Sequence, residues 1–320
     1  MIPLAALEAA ARNVYAAMAP TPQYAWPLLA RRAEREVWVK HENHTPTGAF
    51  KVRGGLNLLA RLAEGRPAAL PGIISATRGN HGQSLAFAAR LHGIRCVIVV
   101  PHGNSVDKNE AMRAFGAELH EHGRDFDEAR EHAAILAQRQ GLHFVGPFAH
   151  ELVAGVGTYA LELFRAVDDI DTVYVPIGCG SGICGLISAR DALGLSTEIV
   201  GVVATAANAY AQSFAAGRPV ETQTADTFAD GMAVRVPVPA ALEVIRKGAA
   251  RIVEVTDAQI EAAMCAYFSD THQIAEGAGA APLAALLKEG DHAGRKAAVI
   301  LSGGNVDRAV YARVISGGWT

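Results

Sequence analysis

One lysine of the chain sits where a charge is hard to justify. In HENHTPTGAFKVRGG, at 41 to 55, Lys51 lies between Phe50 and a Val-Arg-Gly-Gly run, where a polar turn gives way to a helix. An ammonium packed among small and apolar groups loses hydration, so its pKa falls toward that of a working base. A neutral amine adds to carbonyls and takes protons. The bland alternative is a solvated lysine in the first turn of a helix.

Three glycine-rich turns, each following a strand-like run, carry the other groups of interest. In SATRGNHGQS, at 75 to 84, Gly79 and Gly82 flank Asn80 and His81 at the start of a helix. Backbone N–H groups there, with roughly half a unit of positive charge, suit a carboxylate; an ordinary turn capped by Asn80 is the alternative. VPIGCGSGICG, at 175 to 185, lets the backbone close on a phosphate through N–H donors. It lacks the Lys-Ser/Thr pair of a nucleotide loop and the dinucleotide glycine spacing, so the phosphate is a small one. Cys179 and Cys184 within it lack the further thiols or histidines of a zinc site. LSGGNVD, at 301 to 307, ends the last strand and offers Ser302 as a hydroxyl at the sheet's edge. One ligand would satisfy all four features: an aldehyde for Lys51, a phenolic oxygen for Asn80, a phosphate for the 178 to 182 loop and a ring nitrogen for Ser302.

Such groups must be delivered by several strand ends. The runs EVWVKH, GIISAT, RCVIVVP, TVYVPIG, EIVGVVA, RIVEV and AAVILSGG alternate with Ala-rich segments of helical period at 80–92, 105–115, 125–140, 152–167 and 257–269. That alternation predicts an α/β protein with parallel sheets covered by helices and ligands at the carboxyl ends of strands. With 320 residues, 50% hydrophobic and 19% charged, the chain can bury a substantial core in one large domain or two medium ones. No Ser/Gly linker marks a boundary, so any two-domain split is made by chain crossing between lobes. A net charge of -3 provides no basic field for nucleic acid, and small molecules are the expected partners. The N-terminus MIPLAALEAAARNVYAAMAP reads as an amphipathic helix, not a signal peptide. No apolar run is long enough to span a membrane. Cys96, Cys179, Cys184 and Cys265 are too scattered for a disulfide framework, so a cytoplasmic protein is expected.

Pyridoxal 5'-phosphate has the four groups just described, and the chain resembles a family that uses it: the threonine/serine dehydratase and serine racemase family of fold-type II enzymes. The resemblance rests on T-P-T-G-A-F-K-V-R-G at 45–54, R-G-N-H-G-Q at 78–83, G-C-G-S-G-I-C-G at 178–185, A-D-G at 229–231, Glu276 and S-G-G-N-V-D at 302–307. It implies two open, twisted, mostly parallel α/β lobes with the cofactor in the cleft between them. The large domain would comprise 1–71 and 149–320, the small inserted domain 72–148, and the assembly a homodimer. The cofactor would be linked to Lys51 and held by Phe50, Asn80, Gly178, Cys179, Gly180, Ser181, Gly182, Gly231, Glu276 and Ser302. Thr77, Arg78, Gly79 and His81 would hold the substrate. The implied reaction is β-elimination from a 3-hydroxy amino acid such as L-threonine or L-serine, giving a 2-oxo acid and ammonia. A neutral hydroxyl beside the ring nitrogen makes a weaker electron sink than a carboxylate, which suits elimination.

Three departures from the family refine these expectations. Serine racemases resemble this chain but place a serine before Gly-Asn-His, where it has Arg78. An arginine is a poor proton shuttle and a good anchor for an anion, so racemase activity is demoted and Arg78 is expected at the substrate. Metal-bearing relatives carry carboxylates where this chain has Val203 and Ala209, so no divalent cation is expected there. His120 and His122 in HEH read as a solvated strand edge. The chain ends at Thr320 without the regulatory domain of biosynthetic dehydratases, which favours a catabolic role. A β-replacement synthase and a sensor that only binds the ligand are weaker readings. Dehydratases of 3-phenylserine or 3-hydroxyaspartate, or an amino-acid racemase, remain the alternatives.

Overall fold

The computed structural model describes residues 2–64 and 71–317. Met1, 65–70 and 318–320, all within the expected large domain, lie outside the described residues. The strands are β1 (Gln23–Ala25), β2 (Glu36–His41), β3 (Ile73–Ala76), β4 (Cys96–Val100), β5 (Glu118–Glu121), β6 (His143–Phe144), β7 (Thr172–Pro176), β8 (Glu198–Ala204), β9 (Arg251–Val255) and β10 (Lys296–Leu301). They form a six-stranded sheet of order β1-β2-β10-β7-β8-β9 and a four-stranded sheet of order β5-β4-β3-β6. Every neighbouring pair is parallel except β1 with β2.

Parallel strands covered by helices on both faces read as continuous apolar runs. β3, β4 and β7 are buried at every residue. The strands that carried no such run are short and lie at sheet edges: β1, β5 and β6. β5 is largely exposed, as polar edge strands are. His120 lies on it, and the ring of His122 just beyond stacks on His132 with centroids 3.7 Å apart.

Two expectations are corrected. The segment 152–167 is not one helix but two, His150–Val156 and Thr158–Ala166, broken at Gly157. Gly157 meets Gly185 of the helix Ser181–Ala192 backbone to backbone, and a Cβ on Gly185 would lie 2.8 Å from the Gly157 nitrogen. The two helices meet there with no room for a side chain on either glycine. Ser302 is not at the sheet's edge: β10 is an interior strand, and Ser302 follows its carboxyl end.

A buried charge network fastens the helix that begins at Lys51. Arg53, with 0% exposure, donates to Glu42 from Nε at 2.6 Å and to Glu162 from Nη1 at 2.6 Å. Lys40 of β2, also fully buried, donates to Glu162 at 2.5 Å and to the Thr21 carbonyl at 2.7 Å. Two cations and two carboxylates neutralise one another, and hydroxyls of Thr21 and Thr158 complete the set. Satisfied at each charge, such a cluster tolerates burial and holds its elements in one arrangement. It joins β2, the helix Lys51–Glu64 and the helix Thr158–Ala166.

Candidate active site

A cleft of about 360 Å³ opens where the carboxyl ends of strands from both sheets face each other. Phe50, Lys51, the turn 77–81, the loop 178–182, Gly231, Glu276 and Ser302 all line it. Segments far apart in sequence thus meet at one place, at the strand ends where open α/β sheets bind ligands.

Lys51 is the first residue of its helix. The preceding residue is pinned: Phe50 N–H donates to the Ser302 carbonyl at 2.9 Å. The Lys51 amine lies 5.0 Å from the centroid of the Phe50 ring and donates to Ser181 Oγ at 2.9 Å. Burial pushes its pKa below the ordinary lysine range, against the opposing effects of Cys179 and Glu276. An amine so placed has a larger neutral fraction, which a nucleophile or base requires.

Ser181 heads the helix Ser181–Ala192, whose N-cap is Gly180 with φ +93° and no capping side chain. The N–H groups of the first turn therefore keep their bonding capacity for a ligand. Gly180 adopts a left-handed conformation that L residues with a side chain rarely take. Gly178 packs so tightly on the Gly231 carbonyl that a Cβ would fill the cradle's wall. The pocket fits a phosphate at this end. Asn80 and Ser302 line the same cleft, and Ser302 is 3% exposed.

Thr77 closes the turn 77–81 by accepting from Gly79 N–H at 3.0 Å. Arg78 is exposed at the mouth of the cleft. Asn80 Nδ2 donates to Glu276 Oε1 at 2.7 Å. Glu276, 4% exposed, has its pKa raised by burial, with Lys108 opposing and Asp230 reinforcing that shift. Lys108 lies 2.5 Å from Asp230 and 3.7 Å from Glu276 Oε2. Burial works against the charge on Lys108, but these carboxylates hold its pKa above the ordinary range.

Lys108 and Asp230 were missed as site residues, and so was Asn305, which touches Asn80. Asp230 and Asn305 fall inside the quoted A-D-G and S-G-G-N-V-D motifs, a signal that singled out their neighbours instead. Lys108 gave none, being one polar residue of the polar helix Val106–Ala114.

His81 is buried, and burial, aided by the Lys51 charge, depresses its pKa from 6.5 to about 3. The folded chain therefore keeps His81 neutral while the unfolded chain protonates it. Between about pH 6.5 and 3 the unfolded state binds the extra proton, so stability falls as pH drops through that window. His41, depressed to about 4, acts in the same sense. The denaturant midpoint should fall between pH 7 and 4, and His81→Asn should flatten that fall; an unaltered slope would contradict the assignment.

Comparison with known proteins follows the same lines. Residues 14–303 match the family described as pyridoxal-phosphate dependent enzyme. The chain is 34% identical over 292 residues to the L-threonine ammonia-lyase of Thermotoga maritima, covering 91% of this chain and 72% of that protein. It superposes on maize serine racemase with a TM-score of 0.92 and 26% identity, covering 99% and 97% of the two chains. On the T.th. threonine deaminase the TM-score is 0.89, with 31% identity and coverage of 95% and 99%. Matched over this span, and with a lysine amine beside a glycine-rich loop in its cleft, the chain belongs to the fold-type II pyridoxal-phosphate dependent enzymes.

Proposed function

We propose that this protein is an ammonia-lyase that removes the β-hydroxyl and the amino group of a 3-hydroxy amino acid, L-threonine or L-serine, to give a 2-oxo acid and ammonia. The observation that carries the reading is the Lys51 amine, 2.9 Å from Ser181 Oγ at the head of the anion cradle, with Asn80 and Ser302 across the same cleft. The similarity to L-threonine ammonia-lyase and threonine deaminase supports it.

Pyridoxal 5'-phosphate, when bound, supplies an aldehyde for the amines and a ring that accepts the electron pair left by the departing Cα proton. Lys51 would hold the cofactor covalently, and its free amine would serve as the base for the Cα proton; a positioned base of this kind is worth roughly 10² to 10⁴ in rate. The 178–182 loop holds the phosphate on its N–H groups, with Phe50 and Gly231 as walls. Asn80, which lines the cleft, would meet the phenolic oxygen. Ser302 would offer the ring nitrogen a neutral hydroxyl, a weaker electron sink than a carboxylate would give, which suits elimination. Thr77, Gly79 and His81 contribute backbone to the substrate carboxylate site. Arg78, a permanent cation at the mouth, anchors the carboxylate or shapes the pocket around it.

The two separate sheets support a division into a cofactor-binding domain, 1–71 and 149–320, and an inserted domain, 72–148. The same reading takes the chain as a cytoplasmic homodimer. Among the described residues no helix is long and apolar enough to cross a membrane.

A panel of 3-hydroxy amino acids, assayed for 2-oxo acid and ammonia, tests the reading. L-threonine or L-serine should be deaminated; a racemised amino acid without 2-oxo acid would overturn it, and activity confined to 3-phenylserine or 3-hydroxyaspartate would move the substrate. Arg78→Ala should raise KM by about tenfold, the worth of one charged hydrogen bond. An unchanged substrate profile removes Arg78 from the substrate site.

A further inference from the structure

The carboxamide of Asn80 is held at both ends. Its Nδ2 donates to Glu276 Oε1 at 2.7 Å, and its Oδ1 accepts from Asn305 Nδ2 at 2.9 Å. Turned over, it would set its oxygen against a carboxylate and its NH₂ against the NH₂ of Asn305, replacing two bonds by two repulsions. Asn305 is equally constrained. The second hydrogen of its Nδ2 goes to the Thr47 carbonyl at 2.7 Å. Its Oδ1 occupies the space over Gly48, whose φ is +68° and where any Cβ would collide with that oxygen. The glycine of T-P-T-G-A-F-K, which follows β2, thereby makes room for Asn305, which follows the neighbouring β10. On the other side Glu276 is buried next to the Lys108–Asp230 pair; the Lys108 ammonium and the Asn80 N–H oppose its protonation, against burial and Asp230. One hydrogen of Asn80 Nδ2 is left over, and Asn80 lines the cleft that holds Lys51.

We propose that Asn305 is a positioning residue for the cofactor: together with Glu276 it locks Asn80 so that an N–H, and not a C=O, faces the ring oxygen of pyridoxal phosphate. The inference rests on the function proposed above. An N–H donor stabilises the deprotonated ring oxygen and leaves the proton on the nitrogen linked to Lys51. A carbonyl in its place would stabilise the protonated ring oxygen instead. The two forms of the bound cofactor differ in absorption, the first at long wavelength and the second in the near ultraviolet. The lock therefore has an optical readout that is independent of turnover.

The test compares spectra of the holoenzyme across pH for the wild type, Asn305→Asp, and Asn305→Asp combined with Glu276→Gln. The single change puts an acceptor opposite Asn80 Oδ1 and leaves the amide with one unfavourable partner in either orientation. The double change keeps it paired at both ends with donor and acceptor exchanged, so the amide turns over. The ratio of long-wavelength to near-ultraviolet absorbance should fall by about tenfold in the double variant, the worth of one hydrogen bond to a charged oxygen. The single variant should fall between it and the wild type. A wild-type band with an unchanged ratio in the double variant overturns the role of Asn305. A wild type with no long-wavelength band that Lys51→Ala abolishes overturns the cofactor reading itself.

Discussion

Lys51→Ala should abolish the visible absorption of the bound cofactor and lower 2-oxo acid release by more than about 10⁴-fold, because it removes the covalent attachment and the base together. The two losses cannot be separated by restoring charge. An arginine at 51 has no accessible neutral form, so Lys51→Arg should fail by a similar margin. The surroundings explain why the lysine alone serves. Burial lowers its pKa, the Phe50 ring covers one side of the amine, and Ser181 Oγ receives its hydrogen bond at 2.9 Å. Steady-state kinetics and an absorption spectrum check the prediction. Residual activity near one hundredth of the wild type, with the band intact, would assign the chemistry to another group.

Arg53→Met should lower the unfolding free energy by about 3 to 5 kcal/mol, the usual consequence of removing one partner from a buried ionic cluster. The guanidinium bonds Glu42 and Glu162 from a position with 0% exposure. Without it, Lys40 alone opposes two buried carboxylates. The loss should also reach the site, since Arg53 lies two residues beyond Lys51 on the same helix. By contrast the Lys247–Glu243 pair, with side chains 74% and 69% exposed, is screened by water, and Lys247→Ala should leave the denaturant midpoint in place. Urea titrations of both variants measure the difference. Equal midpoints would mean that the Arg53 cluster relaxes or admits water when cut.

Much of the architecture was legible because a parallel strand buried on both faces has to be apolar along its whole length. β3, β4, β7, β8 and β10 announced themselves in this way, and the part-buried edge strand β9 by its β-branched residues. β1, β5 and β6 did not, since an edge strand needs no apolar run and avoids one. The break at Gly157 was illegible for a different reason. Glycine inside a helical pattern is tolerated, and the close approach of Gly185 from another helix is a contact that no local pattern names.

The cleft shows the same division. Lys51, Asn80 and the 178–182 loop, which the structure brings to one cleft, were visible because a lysine beside apolar residues and glycines at a helix start are local patterns, written in consecutive residues. Lys108, Asp230 and Asn305 matter through partners that no local pattern names: Lys108 meets Asp230 at 122 positions' separation, and Asn305 meets Asn80 at 225. By itself the sequence determined most of the elements and singled out Lys51 and the 178–182 loop as candidates, because hydrophobic periodicity and backbone conformation act over a few residues. Which charges surround Glu276, and which way the Asn80 amide points, was decided by the tertiary structure, because electrostatic and hydrogen-bond partners depend on distances in space that only packing sets.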